Sequence, residues 1–106
     1  MTKETYTLLE NYMLSSMEDS AHDAEHIYRV LYNALQIAKG EENVNYDILI
    51  TACLLHDIGR KEQFADPALC HAAVGAEKAE KFLREKSRIW IFRRKILEII
   101  HCRIYY

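Results

Sequence analysis

Proline and glycine are scarce in this 106-residue chain: Pro67 stands alone and there are three glycines. So little punctuation argues against a β protein, whose short strands need frequent turns, and favours a chain that is nearly all helix. Net charge is small, −2 with the histidines neutral, so overall electrostatics makes no case for a nucleic-acid or anionic-membrane partner. No apolar run approaches the ~20 residues needed to cross a bilayer. Met1 to Glu10 is polar and lacks a signal-peptide apolar stretch, which reads as a cytoplasmic protein. The three cysteines, Cys53, Cys70 and Cys102, form no CxxC pair. Their odd number argues against a disulfide framework, and Cys53 sits in an apolar run where cysteine acts as a small core residue.

What is present is ordinary globular composition, half hydrophobic and 28% charged, in a length that suits one domain with a modest stability margin. Residues 1–106 are therefore read as a single all-α domain of about five helices. Tyr6, Leu9, Met13 and Met17 mark one face of a first helix, from about Lys3 to Met17. Ser20 offers an N-cap to a second, from about Ala21 to Lys39, with a stripe of Ile27, Val30, Leu31, Ala34 and Ala38. Gly40 stands where a left-handed C-terminal residue is expected. Asn45 caps a third helix, Tyr46 to about His56, apolar on nearly every side and so expected to be central and buried. Arg60 to Ala68 reads as a loop with Asp66-Pro67 as its turn signal. A fourth helix, about Ala68 to Lys86, carries Ala72, Gly75, Ala76, Ala79, Phe82 and Leu83 on its inner face, small enough for close packing. Ser87 is placed to cap a fifth, with Ile89, Phe92, Ile96, Ile99 and Ile100 at helical spacing.

Chemistry concentrates at His56-Asp57, two good metal ligands at the end of a buried helix where the backbone turns outward. A buried carboxylate without a partner costs several kcal/mol, so Asp57 should face a cation or solvent. His26, in the first turns of the second helix, and His71, on the fourth, add one imidazole each. A single histidine on such a face is usually a satisfied core residue. Three separate helices each presenting one are less easily explained as packing, and facing helices are how a bundle builds a metal site.

The segments His26-Ile27-Tyr28-Arg29-Val30 and Leu54-Leu55-His56-Asp57-Ile58-Gly59-Arg60 resemble the signature of the HD superfamily of metal-dependent phosphohydrolases. That resemblance implies an HD-like fold, with His26, His56 and Asp57 as ligands of a divalent metal. His71-Ala72-Ala73-Val74-Gly75-Ala76 is similar to the HxxxGA stretch of two-metal HD proteins. There the His serves a second metal or the substrate phosphate. His101 resembles a further His of that branch. The family completes its first site with an Asp on a later helix, and this sequence has no Asp after Asp66. The chain is therefore expected to stop short of that ligand.

The resemblance implies a phosphohydrolase acting on a small phosphorylated metabolite or nucleotide. The absent Asp leaves open a non-catalytic metal- or nucleotide-binding module. The mixed His and carboxylate set suits Mn, Fe, Co, Ni or Zn better than Ca. Asp57 would be both ligand and orienting group for the attacking water. His71 would be a phosphate donor, proton-transfer group or second-metal ligand. Arg60 and Lys61 are placed to meet an anionic substrate at the mouth of the site, while Arg29, one turn after Glu25, is read as structural. The basic cluster Arg84, Lys86, Arg88, Arg93, Arg94 and Lys95 is interrupted by Glu85 and reads as a solvated face, with no nucleic acid or membrane partner. Lacking the later helix, the inner faces of the third and fifth helices (Leu54, Leu55, Ile96 and Ile100) would be uncovered. A homodimer through the fifth helix and Ile104-Tyr105-Tyr106 is the expected remedy.

Overall fold

Helix α1 (Lys3–Ser15) starts where the Thr2 hydroxyl accepts the backbone N–H of Thr5 at 3.1 Å, satisfying one of the orphan donors of the first turn. The chain continues through α2 (Ser20–Ala38), α3 (Tyr46–Leu55), α4 (Arg60–Ala65), α5 (His71–Lys86) and α6 (Arg93–Cys102). This computed structural model describes residues 1–17, 20–86 and 93–102, without the side chains of residues 20–22, 63–64, 71–72, 86 and 101–102. Among the described residues there is no strand. The protein is all-α, as the lack of turn residues requires. The expected roles of Ser87, Ile89, Phe92, His101 and Ile104-Tyr105-Tyr106 fall outside the described residues or side chains.

Helix α3 is the centre of the packing. It is capped by Asn45, whose side-chain oxygen accepts the N–H of Ile48 at 3.2 Å. It packs against α1, α2 and α6, and every residue from Thr51 to Leu55 is buried. Around it, Leu9 and Met13 come from α1, Ile27 and Leu31 from α2, Ala76, Ala79 and Leu83 from α5, and Ile96 and Ile100 from α6, forming one continuous core. Tyr12 also stacks on Phe82, with ring centroids 4.1 Å apart, and joins α1 to α5.

Three expectations change. Residues Arg60–Ala65 are helical, not loop. Arg60, Lys61, Glu62 and Gln63 are good helix formers, and the segment stops only where Pro67 holds Asp66 extended (φ −140°, ψ 97°). Asp66-Pro67 is still the turn: the Asp66 carboxylate accepts the N–H of Ala68 at 3.1 Å, which delays α5 to His71. Gly40 is not left-handed. Helix α2 ends instead in tightened turns, Gly40 N–H to Ile37 and Glu41 N–H to Ala38. The positive φ, 61°, falls on Asn43, a residue type that tolerates it. Lastly, Leu54, Leu55, Ile96 and Ile100 are all 0% exposed. The chain covers them itself, so a homodimer draws no support from these four side chains.

Candidate metal centre

Helix α3 delivers the site by ending. His56 takes its C-cap position, and His56-Asp57-Ile58-Gly59 turns the chain before α4 begins at Arg60, whose N–H bonds the Asp57 carbonyl at 3.2 Å. All four turn residues are buried. The turn is held against α5 at Gly75, where a Cβ would sit 3.3 Å from the Gly59 backbone nitrogen and 3.8 Å from Ile58. The missing Cβ permits that close approach; any larger residue would make the Gly59 backbone give by a few tenths of an ångström. One turn later on α5, the Lys78 ammonium donates to the Ile58 carbonyl and to the Glu62 carboxylate, each at 2.8 Å. Burial alone would raise the Glu62 carboxyl, but hydrogen bonds from Lys78 and the backbone, together with the Lys78 and Lys61 charges, outweigh it and hold it below its ordinary value. Lys78 thus ties α5 both to the His-Asp turn and to α4.

The focus of the site is one oxygen. Asp57 Oδ2 lies 3.5 Å from His26 Nε2, 3.5 Å from His56 Nε2 and 3.6 Å from Arg60 Nη2. Asp57 and His56 are buried, while the His26 side chain is 48% exposed and opens the site to solvent. The two imidazoles meet edge to face at 5.8 Å between centroids. One donor atom from each of His26, His56 and Asp57 can be chosen so that all lie within 4.8 Å of one another.

The donor set fits a divalent ion. Ligands sharing one ion at bond lengths near ~2.1 Å lie roughly 3–3.5 Å apart, close to the 3.5 Å from Asp57 Oδ2 to each imidazole. The His56 tautomer fits as well. Its Nδ1 lies 2.7 Å from the Cys53 carbonyl, which only accepts, so Nδ1 carries the proton and Nε2 presents its lone pair to the cluster. The Cys53 thiol is buried, which pushes its pKa up and marks it as a core group rather than a fourth ligand.

A cavity of about 240 Å³ opens beside the cluster, lined by Ser16, Met17, Asp23, His26, Asp57 and Arg60. The structure therefore brings together His26, His56, Asp57 and Arg60 of the residues expected from sequence. Lys61 is exposed and is not among the lining residues. The His71 side chain lies outside the described set. Arg29 bonds Glu25 at 2.8 Å on the solvent side, as a structural pair. Gly75 was read from sequence as a small residue on the inner face of its helix, and it makes the close approach; Asp23 and Lys78 escaped the sequence reading. Asp23 had a signal, its i, i+3 spacing from His26 on one helix face; Lys78 had none, because its partners are 20 and 16 residues away in sequence.

Comparison with known proteins agrees with this arrangement. No curated protein and no solved structure matches the chain. The family model described as HD domain matches residues 23–103, most of the sequence. With His26 and the His56-Asp57 pair converging inside that span, the chain belongs to the HD domain family.

Proposed function

We propose that this protein is a metal-dependent phosphohydrolase acting on a small phosphorylated metabolite or nucleotide. The observation that carries the reading is the convergence of His26, His56 and Asp57 beside a cavity lined by His26, Asp57 and Arg60. Three protein donors beside open space resemble catalytic metal sites, which keep a position for water or substrate, more than closed structural ones. When bound, a divalent ion supplies an acidified water and neutralises charge on phosphoryl oxygens.

The chain's own residues would do the rest. The Cys53 carbonyl fixes the His56 ring, and the Lys78 contact fixes the turn that carries Asp57. Arg60, 41% exposed on its side chain and anchored only at 3.6 Å, is able to swing its planar fork onto a phosphate. The 240 Å³ cavity is large enough for several waters. That is room for a phosphoryl group and its hydration, and less than the ~300–1,000 Å³ that encloses a drug-sized ligand. The organic part of the substrate would therefore lie outside it.

The test is a panel of phosphate monoesters and nucleotides assayed with Mn²⁺, Co²⁺ or Ni²⁺ and with chelator. Turnover that chelator abolishes and metal restores is expected. Metal binding without turnover on any substrate would instead make the chain a binding module.

A further inference from the structure

We infer that Asp23 is the general base of this site; the inference rests on the phosphohydrolase reading above. Phosphate ester hydrolysis needs a group that removes a proton from the attacking water. A base must lie within hydrogen-bond reach of that water, directly or through one more. The described lining of the cavity offers few choices. Asp57 Oδ2 is surrounded by His26, His56 and Arg60 nitrogens at 3.5–3.6 Å, and the Nε2 atoms of both histidines belong to the same cluster. Arg60 holds its protons throughout the accessible pH range. The Ser16 hydroxyl donates to the Tyr12 carbonyl at 3.0 Å and is too weakly basic for the task. Met17 has no proton chemistry.

Asp23 remains. It lines the cavity yet is not one of the three clustered donors. It stands one turn before His26 in the first turn of α2, so both side chains leave the same helix face. The first turn of a helix favours an anionic side chain, and the cavity that Asp23, His26 and Asp57 all line has room for a water. In the step assigned to it, the water oxygen bonds to phosphorus while Asp23 takes one of its protons. The ester P–O bond breaks, its electron pair stays on the leaving oxygen, and that oxygen takes a proton from solvent. Asp23 then releases its own proton to solvent.

The experiment compares wild type, Asp23→Ala and Asp23→Asn as full chains, with Mn²⁺ and p-nitrophenyl phosphate. Both variants should bind Mn²⁺ as wild type does by calorimetry and lose about 100-fold or more in kcat. Added formate should restore rate to Asp23→Ala, where it fits the space vacated, and not to Asp23→Asn. A merely structural role would not produce that pattern. Loss of Mn²⁺ affinity in the isosteric Asn variant would make Asp23 a ligand and overturn the assignment, as would unchanged kcat or failure of formate rescue. A wild-type chain without metal-dependent turnover fails at the earlier step, the phosphohydrolase reading itself, and the general base falls with it.

Discussion

Replacing Lys78 with Met removes the ammonium and keeps most of the aliphatic stem, so it isolates two contacts: the Ile58 carbonyl and the Glu62 carboxylate, both at 2.8 Å. The two differ in worth. Side chains of Lys78 and Glu62 are 24% and 35% exposed, so water screens their ion pair, and about 0.5 kcal/mol is a fair value for it. The bond to Ile58 satisfies a carbonyl in a wholly buried turn, and a hydrogen bond from a charged donor is worth about 1.5–3 kcal/mol. Lys78→Met should therefore cost about 2–3.5 kcal/mol, and Glu62→Gln about 0.5 kcal/mol. For a domain of this size the larger loss lowers Tm by roughly 10 °C or more. Urea unfolding of both variants and of the double variant measures the coupling directly. The pH dependence has a definite sign. Because the folded-state Glu62 pKa is depressed, its contribution is present above the ordinary Glu value of ~4.3 and is lost as pH falls through the folded value. Wild type should lose that increment on acidification, and Lys78→Met should lose less, only the part that the backbone hydrogen bond and Lys61 supply. Equal costs for the two single variants would refute the reasoning, since the Ile58 carbonyl would then contribute nothing.

Two further substitutions probe the same turn. Gly75→Val places a branched side chain where a Cβ already meets the Gly59 backbone at 3.3 Å. It should cost about 1–3 kcal/mol by denaturant titration and weaken metal binding by displacing Asp57; wild-type behaviour in both would show the approach to be slack. Arg60→Ala should raise KM for a phosphate monoester by about 10-fold or more, the worth of a charge-assisted hydrogen bond, without lowering metal affinity. Unchanged KM would remove Arg60 from substrate binding.

Sequence alone revealed most of the helical layout because its signals are local. Apolar spacing marked the buried faces of α1 and α2, and Asn45 caps α3 as its position suggested. Helix α4 was missed because six residues carry too little periodicity to stand out from a loop, and its support, the Glu62–Lys78 pair, comes from another helix. His26, His56 and Asp57 were legible as candidate ligands through motif and spacing, and the fold brings them together. What stayed hidden is tertiary. The Cys53 carbonyl that sets the His56 tautomer and the lysine that braces the turn have no signature at the level of residue type. The self-coverage of Leu54 and Ile100 likewise depends on how α6 closes over α3, which helical periodicity does not specify.

The central claim is that His26, His56 and Asp57 form one divalent-metal site. Calorimetric titration of the chelator-stripped chain with Mn²⁺ or Ni²⁺, beside His26→Ala, His56→Ala and Asp57→Ala variants checked for folding by circular dichroism, tests it most directly. The account predicts saturable binding to wild type that is weakened severely in each folded variant. Equal affinity in wild type and all three variants, or no binding to the wild-type chain, would contradict it.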